Sequence, residues 1–105
     1  MAILILEQFI GFQWDISNQN KNQDKHDVSW SECEQVFFNI PLLLYEDQNH
    51  SIDEVRMYVL GKTDNNRELF ICFTSRNNLI RVISARDMSK RERAIYAKAK
   101  ESTEI

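Results

Sequence analysis

Runs of apolar residues in the second half of the chain predict a series of β-strands. The runs cover residues 42–45, 55–61, 69–75 and 79–86. The links after the second and third of them are short and rich in turn residues, which suits antiparallel neighbours and leaves no room for a crossover helix. The pattern therefore predicts an antiparallel meander, and a weaker aromatic run over residues 9–14 predicts one further strand before it.

The run over residues 79–86 predicts an interior strand. Regular alternation would place Ile80, Val82, Ser84 and Arg86 on one face, and both faces would be largely apolar. Such a strand belongs in the middle of a sheet. Its last residues, Ser84 and Arg86, are then held on rigid backbone where solvent reaches them, a position suited to holding a phosphate.

Capping boxes, in which a serine precedes a glutamate by three residues, predict two helices. The boxes are Ser29 with Glu32 before a helix over about residues 30–38, and Ser89 with Glu92 before a closing helix through about residue 100. A polar segment over residues 15–25 predicts an earlier surface helix. Together the elements predict an α+β fold, a small domain with N-terminal helices on one face of an antiparallel sheet and a C-terminal helix.

The length and the cysteines restrict the class of protein. A chain of 105 residues is expected to form a single domain over residues 1–105. Cys33 and Cys72 lie far apart with no nearby partner cysteine, which predicts reduced, buried thiols. The apolar run over residues 1–6 is too short for a signal peptide or a membrane span, so we expect a cytoplasmic protein with no membrane partner.

Charge is distributed unevenly along the chain. Residues 1–54 carry ten acids against two lysines, a net charge of −8, whereas residues 55–105 carry eleven Lys and Arg against six acids, a net charge of +5. The second half thus has the charge for a local phosphate-binding surface. The alternative is that the two halves neutralise each other across the fold.

A set of residues at defined spacing runs through nearly the whole chain, from Phe12 to Tyr96. The set consists of Phe12, Trp14, Asp15, Asn22, Lys25, His26, Val28, Ser29, Val36, Phe37, Asp47, His50, Glu54, Arg56, Gly61, Ile83, Ser84, Ala85, Arg86, Lys90 and Glu92. In combination these residues resemble the BrnT family of ribonuclease toxins.

The resemblance implies a RelE-like fold and a toxin of a bacterial type II toxin–antitoxin pair that cleaves RNA without a metal or other cofactor. It also implies a cognate antitoxin with a ribbon–helix–helix-type DNA-binding domain, so that operator DNA is contacted only through the antitoxin. Two positions depart from the family pattern, with Asp27 in place of glycine and Asn18 in place of a basic residue. The carboxylate of Asp27 would either stabilise a protonated histidine or weaken phosphate binding.

Two arguments select different arginines as phosphate ligands. In the predicted meander Arg86 and Arg67 share one edge, with Lys62 close by, and position therefore favours Arg86 and Arg67. Arg56 falls at the opposite edge, but the BrnT pattern includes it. Guanidinium groups suit the role because they stay charged and bind phosphate bidentately.

Lys25 and His26 are candidates for proton transfer. A histidine titrates near neutrality, and Lys25 would hold phosphate or act as a general acid. The alternative is a solvated Lys25 and a His26 that caps a helix. Tyr96 resembles the base-stacking tyrosine of RelE-type toxins, with a core or partner contact as its alternative. His50 has no clustered His or Cys, so we expect no metal site.

The leading hypothesis from the sequence is an mRNA-cleaving toxin with RNA as its substrate. The alternative is an interaction protein of the same fold that has lost catalysis. A plain RNA-binding domain is disfavoured, because no single strand interleaves aromatic and basic residues on one face. An Arg86 locked in an internal ion pair, remote from Lys25, His26 and any positively charged cavity, would leave the nuclease without a site.

Overall fold

The computed structural model describes residues 11–14, 26–47 and 55–103. Within these residues the elements are, in chain order, β1 (Gly11–Phe12), α1 (Trp30–Val36), β2 (Leu43–Glu46), β3 (Arg56–Lys62), β4 (Glu68–Arg76), β5 (Leu79–Asp87) and α2 (Lys90–Thr103). Each was predicted to within a few residues. The helix predicted over residues 15–25 lies outside the described residues. None of the described helices combines the length and apolar character needed to cross a membrane.

The five strands form one mixed sheet in the order β1-β5-β4-β3-β2. The antiparallel meander from β2 to β5 is confirmed, and β5 is an interior strand as predicted. The prediction of a wholly antiparallel sheet is wrong, because β1 pairs with β5 in parallel, with Gly11 opposite Leu79. Apolar alternation does not encode strand direction. Here β1 is held by packing, with the Phe12 ring 5.4 Å from that of Phe37 just after α1.

Helix α1 covers one face of the sheet and encloses the larger core. The predicted capping box begins the helix, since the Glu32 N–H donates to Ser29 Oγ at 3.1 Å and the Ser29 N–H donates to Glu32 Oε1 at 3.0 Å. Gly61 permits a close approach, because a Cβ there would lie 2.6 Å from Val36 Cγ1. Cys33 in this core and Cys72 are buried, reduced thiols, which confirms their prediction.

Helix α2 covers only part of the opposite face of the sheet. Its contact centres on Tyr96, which packs with Leu60 and Met88 in a second, smaller cluster. The sheet surface toward β2 is less covered, since Tyr45 remains 37 % exposed. The α2 face of the sheet therefore combines a small core with accessible surface.

A β-bulge changes which side chains of β5 face α2. Val82 lies opposite Phe73 and Ser84 lies opposite Cys72, so one strand carries an extra residue at Ile83. Val82 therefore points into the core beneath α1, whereas Ser84 and Arg86 point to the α2 face. The predicted shared face for Val82, Ser84 and Arg86 is wrong, because the alternation on which it rested is interrupted.

Candidate functional site

The end of β5 brings together Arg67 and Arg86, the two arginines that the predicted meander places at one edge of the sheet. In the register Leu69 lies opposite Asp87 and Phe70 lies opposite Arg86. Arg67 Nε donates to Asp87 Oδ1 at 2.7 Å, and Arg86 Nη1 donates to the main-chain oxygen of Asp87 at 3.1 Å. The shared end is therefore confirmed. The two guanidinium groups nevertheless approach Asp87 from opposite faces of the sheet.

Arg67 is bound on all sides by protein acceptors. Besides Nε, its Nη2 donates to Asp87 Oδ2 at 3.1 Å and to the His26 carbonyl at 3.3 Å. Its Nη1 donates to the Asp27 carbonyl at 2.7 Å and to Glu32 Oε2 at 3.2 Å. These bonds use all five N–H donors of a guanidinium group. Arg67 thus links the main chain of residues 26 and 27 to Asp87 at the end of β5 and to Glu32 of α1.

The charges around Arg67 stabilise one another. The hydrogen bond from Arg67 lowers the pKa of Asp87, and the bond to Asp87 raises the pKa of Arg67. Only 27 % of the Arg67 side chain is exposed. A phosphate would have to displace carboxylates to reach it, so this geometry favours a positioning role over direct phosphate binding.

Asp27 has the backbone conformation that explains the glycine of the family pattern. Its φ angle is 54°, in the left-handed region that glycine adopts freely and aspartate tolerates better than most residues. Its carbonyl is one of the acceptors of Arg67. An aspartate in place of glycine therefore leaves the backbone conformation at residue 27 unchanged. The neighbouring His26 is exposed.

Arg86 lies on the α2 face in an ion pair that leaves part of it accessible. Its Nη1 and Nη2 donate to the two carboxylate oxygens of Glu92 at 2.8 and 3.0 Å. The guanidinium carbon lies 4.1 Å from the centroid of the Phe70 ring. With the bond to Asp87, three of five donors have partners among the described residues, and 37 % of the side chain is exposed.

A row of aromatic rings continues from Arg86 across the sheet. The Tyr58 ring lies 5.1 Å from that of Phe70, and the Tyr45 ring stacks on Tyr58 at 5.0 Å with 19° between the planes. We call Tyr45, Tyr58 and Phe70 the aromatic row. Between the row and α2 lies a cavity of about 380 Å³, the α2 cavity, lined by Tyr45, Tyr58, Leu60, Phe70, Ser89, Arg91, Glu92 and Ile95.

Strand register places further cations on the same face. Arg56 and Arg81 both lie opposite Thr74, and Lys62 lies opposite Glu68. Arg56 thus shares a face with Arg86, but strand spacing puts their Cα atoms roughly 16 Å apart. Arg56 and Arg86 therefore lie toward opposite ends of the same face of the sheet.

The remaining predicted site residues fall outside this arrangement. Tyr96 is fully buried, and its hydroxyl donates to the Pro41 carbonyl at 2.7 Å. Burial raises its pKa to about 12. In this structure Tyr96 is a core residue, the alternative weighed from the sequence, and it has no exposed face on which a base could stack. Lys25 lies outside the described residues.

Sequence reasoning missed the aromatic row. Its members come from three different strands. A pattern of aromatic and basic residues within any one strand therefore does not indicate it. The available signal was that each predicted strand from β2 to β4 carries a tyrosine or phenylalanine. Only the register, with Tyr45 opposite Tyr58, aligns them.

Comparison with known proteins agrees with the resemblance of the sequence. Residues 14–92 match the family model described as ribonuclease toxin, BrnT, of type II toxin–antitoxin system. The comparison with curated proteins gives no match. The family match spans α1, all strands from β2 to β5 and the start of α2, and so includes His26, Arg67, Arg86 and Glu92. The chain therefore belongs to the BrnT family of ribonuclease toxins.

Proposed function

We propose that this chain is a cytoplasmic endoribonuclease toxin that cleaves mRNA without a metal ion. The observation that carries the proposal is Arg86, which projects from the end of an interior strand beside a cavity lined by aromatic rings, with two of its N–H donors unused by the described residues. A cation fixed next to a flat apolar surface matches an RNA phosphate next to its base.

The chemistry available to such a site is internal transesterification. The 2′-oxygen of a ribose forms a bond to the neighbouring phosphorus, and the bond from phosphorus to the 5′-oxygen breaks. A base takes the 2′ proton, and an acid gives a proton to the leaving 5′-oxygen. The products are a 2′,3′-cyclic phosphate and a 5′-hydroxyl, and a fixed guanidinium stabilises the charge on the phosphorane between them.

The residues divide into four roles in this proposal. Arg86 binds the scissile phosphate, and His26 with Lys25 transfers protons. Arg67 positions the His26 backbone through its bond to the His26 carbonyl. Arg56 and Lys62 contact the RNA away from the scissile bond, on the face they share with Arg86.

The family also supports a partner for this chain. A type II toxin is held inactive by an antitoxin protein, and we propose one with a ribbon–helix–helix-type DNA-binding domain. Operator DNA is then bound by the antitoxin half of the complex. The acidic pI of about 5.3 disfavours binding of nucleic acid over the whole surface, so contact with RNA in this proposal is confined to the cations near Arg86.

A second candidate is a catalytically inactive interaction protein of the same fold. The observation that favours it is that carboxylates of the chain already bind both arginines, Glu92 at Arg86 and Asp87 at Arg67. In the nuclease, substrate binding has to compete with Glu92 for part of the Arg86 guanidinium. In the inactive protein, these ion pairs only stabilise the fold.

The two candidates differ in growth and cleavage assays. Expressed alone in a bacterium, the nuclease halts growth, and the purified protein cleaves mRNA in the presence of EDTA. Arg86→Ala relieves the arrest and abolishes cleavage, whereas Lys98→Ala, which removes an exposed cation of α2, does not. A wild-type protein that is folded, harmless and leaves RNA intact would establish the inactive candidate.

A further inference from the structure

We infer that the α2 cavity and the aromatic row form a subsite for a nucleobase of single-stranded RNA next to the phosphate at Arg86. The inference rests on the proposed function and adds to it the part of the substrate that determines positioning. It assigns Tyr45 and Tyr58, which the sequence did not single out, a direct contact with RNA.

The shape of the cavity suits a flat ligand. Leu60 and Phe70 line it from the sheet, and Ile95 lines it from α2. Tyr45 and Ile95 are 37 % and 41 % exposed. Apolar surface is thus accessible to water at the cavity rim, and a stacked base would cover it. Neighbouring rings and the Arg86 guanidinium cover the faces of Tyr58 and Phe70, so a base in the cavity would meet the edges of these rings and stack on the partly exposed Tyr45.

The charges around the cavity suit a polyanion bound at its border. Arg86 and Arg91 lie beside the row, and Glu92 is neutralised by its bidentate pair with Arg86. Burial, together with nearby carboxylates of Asp47 and Glu92, raises the pKa of Tyr58. The phenol of Tyr58 is neutral at physiological pH, as that of an ordinary tyrosine is, and it adds no charge that would repel a phosphate.

The same face continues the path for the RNA backbone. Arg81 and Arg86 both point to the α2 face of β5, and the strand rise puts their Cα atoms roughly 15 Å apart. That separation allows a few nucleotides of extended chain between them. Arg56 lies across β4 from Arg81, at the end of the path away from the cavity.

A peptide segment of the antitoxin is the competing occupant. The polar residues of the cavity wall, Ser89, Arg91 and Glu92, do not favour an apolar helix. A bound helix would need a continuous apolar groove with anchors at helical spacing. The pairing of stacked rings with a guanidinium group is instead the arrangement by which proteins bind a base and its phosphate.

The test uses RNA oligonucleotides that contain 2-aminopurine, whose fluorescence falls on stacking, and 2′-O-methyl groups that prevent cleavage. We expect quenching by the wild-type protein at one position of the oligonucleotide. Tyr45→Ala and Tyr58→Ala abolish the quenching and weaken binding about tenfold or more, whereas Tyr58→Phe retains both. Phe38→Ala, which removes a 78 % exposed ring elsewhere, is the matched control.

The outcomes separate this inference from the proposed function. If the wild type cleaves RNA, and both alanine variants are folded and bind and quench like the wild type, the subsite is wrong and the nuclease stands. If tyrosine-dependent quenching occurs without cleavage, the subsite stands and the nuclease fails. If the wild type binds no oligonucleotide, or if the tyrosine variants lose only antitoxin binding, the inference is overturned.

Discussion

Arg67 and Arg86 reach the same residue, Asp87, yet their surroundings differ in the way that matters for function. Arg67 uses all five N–H donors on protein acceptors, among them two main-chain carbonyls of residues 26 and 27. Among the described residues Arg86 uses three, on Glu92 and the Asp87 carbonyl, and it contacts Phe70 and Glu92 of the cavity wall. An arginine whose N–H donors are all bound by the protein has a structural role, as Arg67 does. An arginine with unused donors, as Arg86 has among the described residues, is able to bind a further ligand.

The ion pair between Arg86 and Glu92 does not by itself argue against the nuclease. An Arg86 held in an internal ion pair, remote from Lys25, His26 and any positively charged cavity, would leave the nuclease without a site. The pair is present, but Arg86 contacts Asp87, which Arg67 links to the His26 carbonyl. One side of Asp87 thus carries the phosphate ligand of the proposal, and the other carries the support for its proton donor.

The largest effect is expected on activity at Arg86. Arg86→Lys keeps the charge but loses the planar fork, and we expect cleavage to fall about 100-fold or more. The free energy of unfolding changes by less than about 1 kcal/mol, because the side chain is partly exposed. Cleavage of labelled RNA and urea unfolding measure the two quantities. Unchanged cleavage with a lysine would remove Arg86 from phosphate binding.

A loss of stability is expected at Arg67 instead. Arg67→Met leaves Glu32 and Asp87 without their shared cation and lowers the free energy of unfolding by about 2 kcal/mol. Cleavage falls less than for Arg86→Lys when both are measured under conditions where each variant is folded. A stable Arg67→Met protein with no cleavage would show that Arg67 contacts the substrate directly.

The pH dependence of stability follows from the same ion pairs. Hydrogen bonds from Arg67 and Arg86 lower the pKa values of Asp87 and Glu92. A depressed carboxyl pKa stabilises the fold above the pKa of the unfolded chain, near 4, and this contribution is lost as the pH falls through the lower, folded value. Urea unfolding at pH 7, 4 and 3 should show this loss. Arg67→Met should show a smaller one, and an equal loss in both proteins would contradict the role of Arg67.

The smallest effect is expected at Asp27. Asp27→Gly keeps the left-handed backbone, so the free energy of unfolding changes by about 1 kcal/mol or less and cleavage stays the same. Asp27→Val is the contrasting variant, since a β-branched side chain is strained at a φ of 54°. A large gain in cleavage for Asp27→Gly would show that the carboxylate inhibits the site.

Most elements of this fold could be predicted from the sequence because each carries a local signal. The two Ser/Glu capping boxes and the apolar runs of the meander depend on neighbouring residues only. The turn between β4 and β5 is similar, with Asn77 and Asn78 both at positive φ. The shared end of Arg67 and Arg86 followed from the meander alone.

The features that the sequence did not reveal depend on contacts between distant residues. The parallel pairing of β1 is set by packing, and the bulge at Ile83 has no glycine to mark it. Whether an arginine is saturated depends on acceptors up to 41 positions away, as for Arg67 and His26. Position and residue type therefore nominated the two arginines but could not distinguish their roles.

The bulge at Ile83 makes one strand serve two purposes. Its first half, with Val82, supplies the hydrophobic interior, and its second half turns Arg86 to the α2 face. Deleting the single extra residue would reverse the orientation of every side chain on one side of the deletion, and would drive a guanidinium into the interior or an aliphatic chain into water. Insertions and deletions in this strand should therefore be far less tolerated than substitutions.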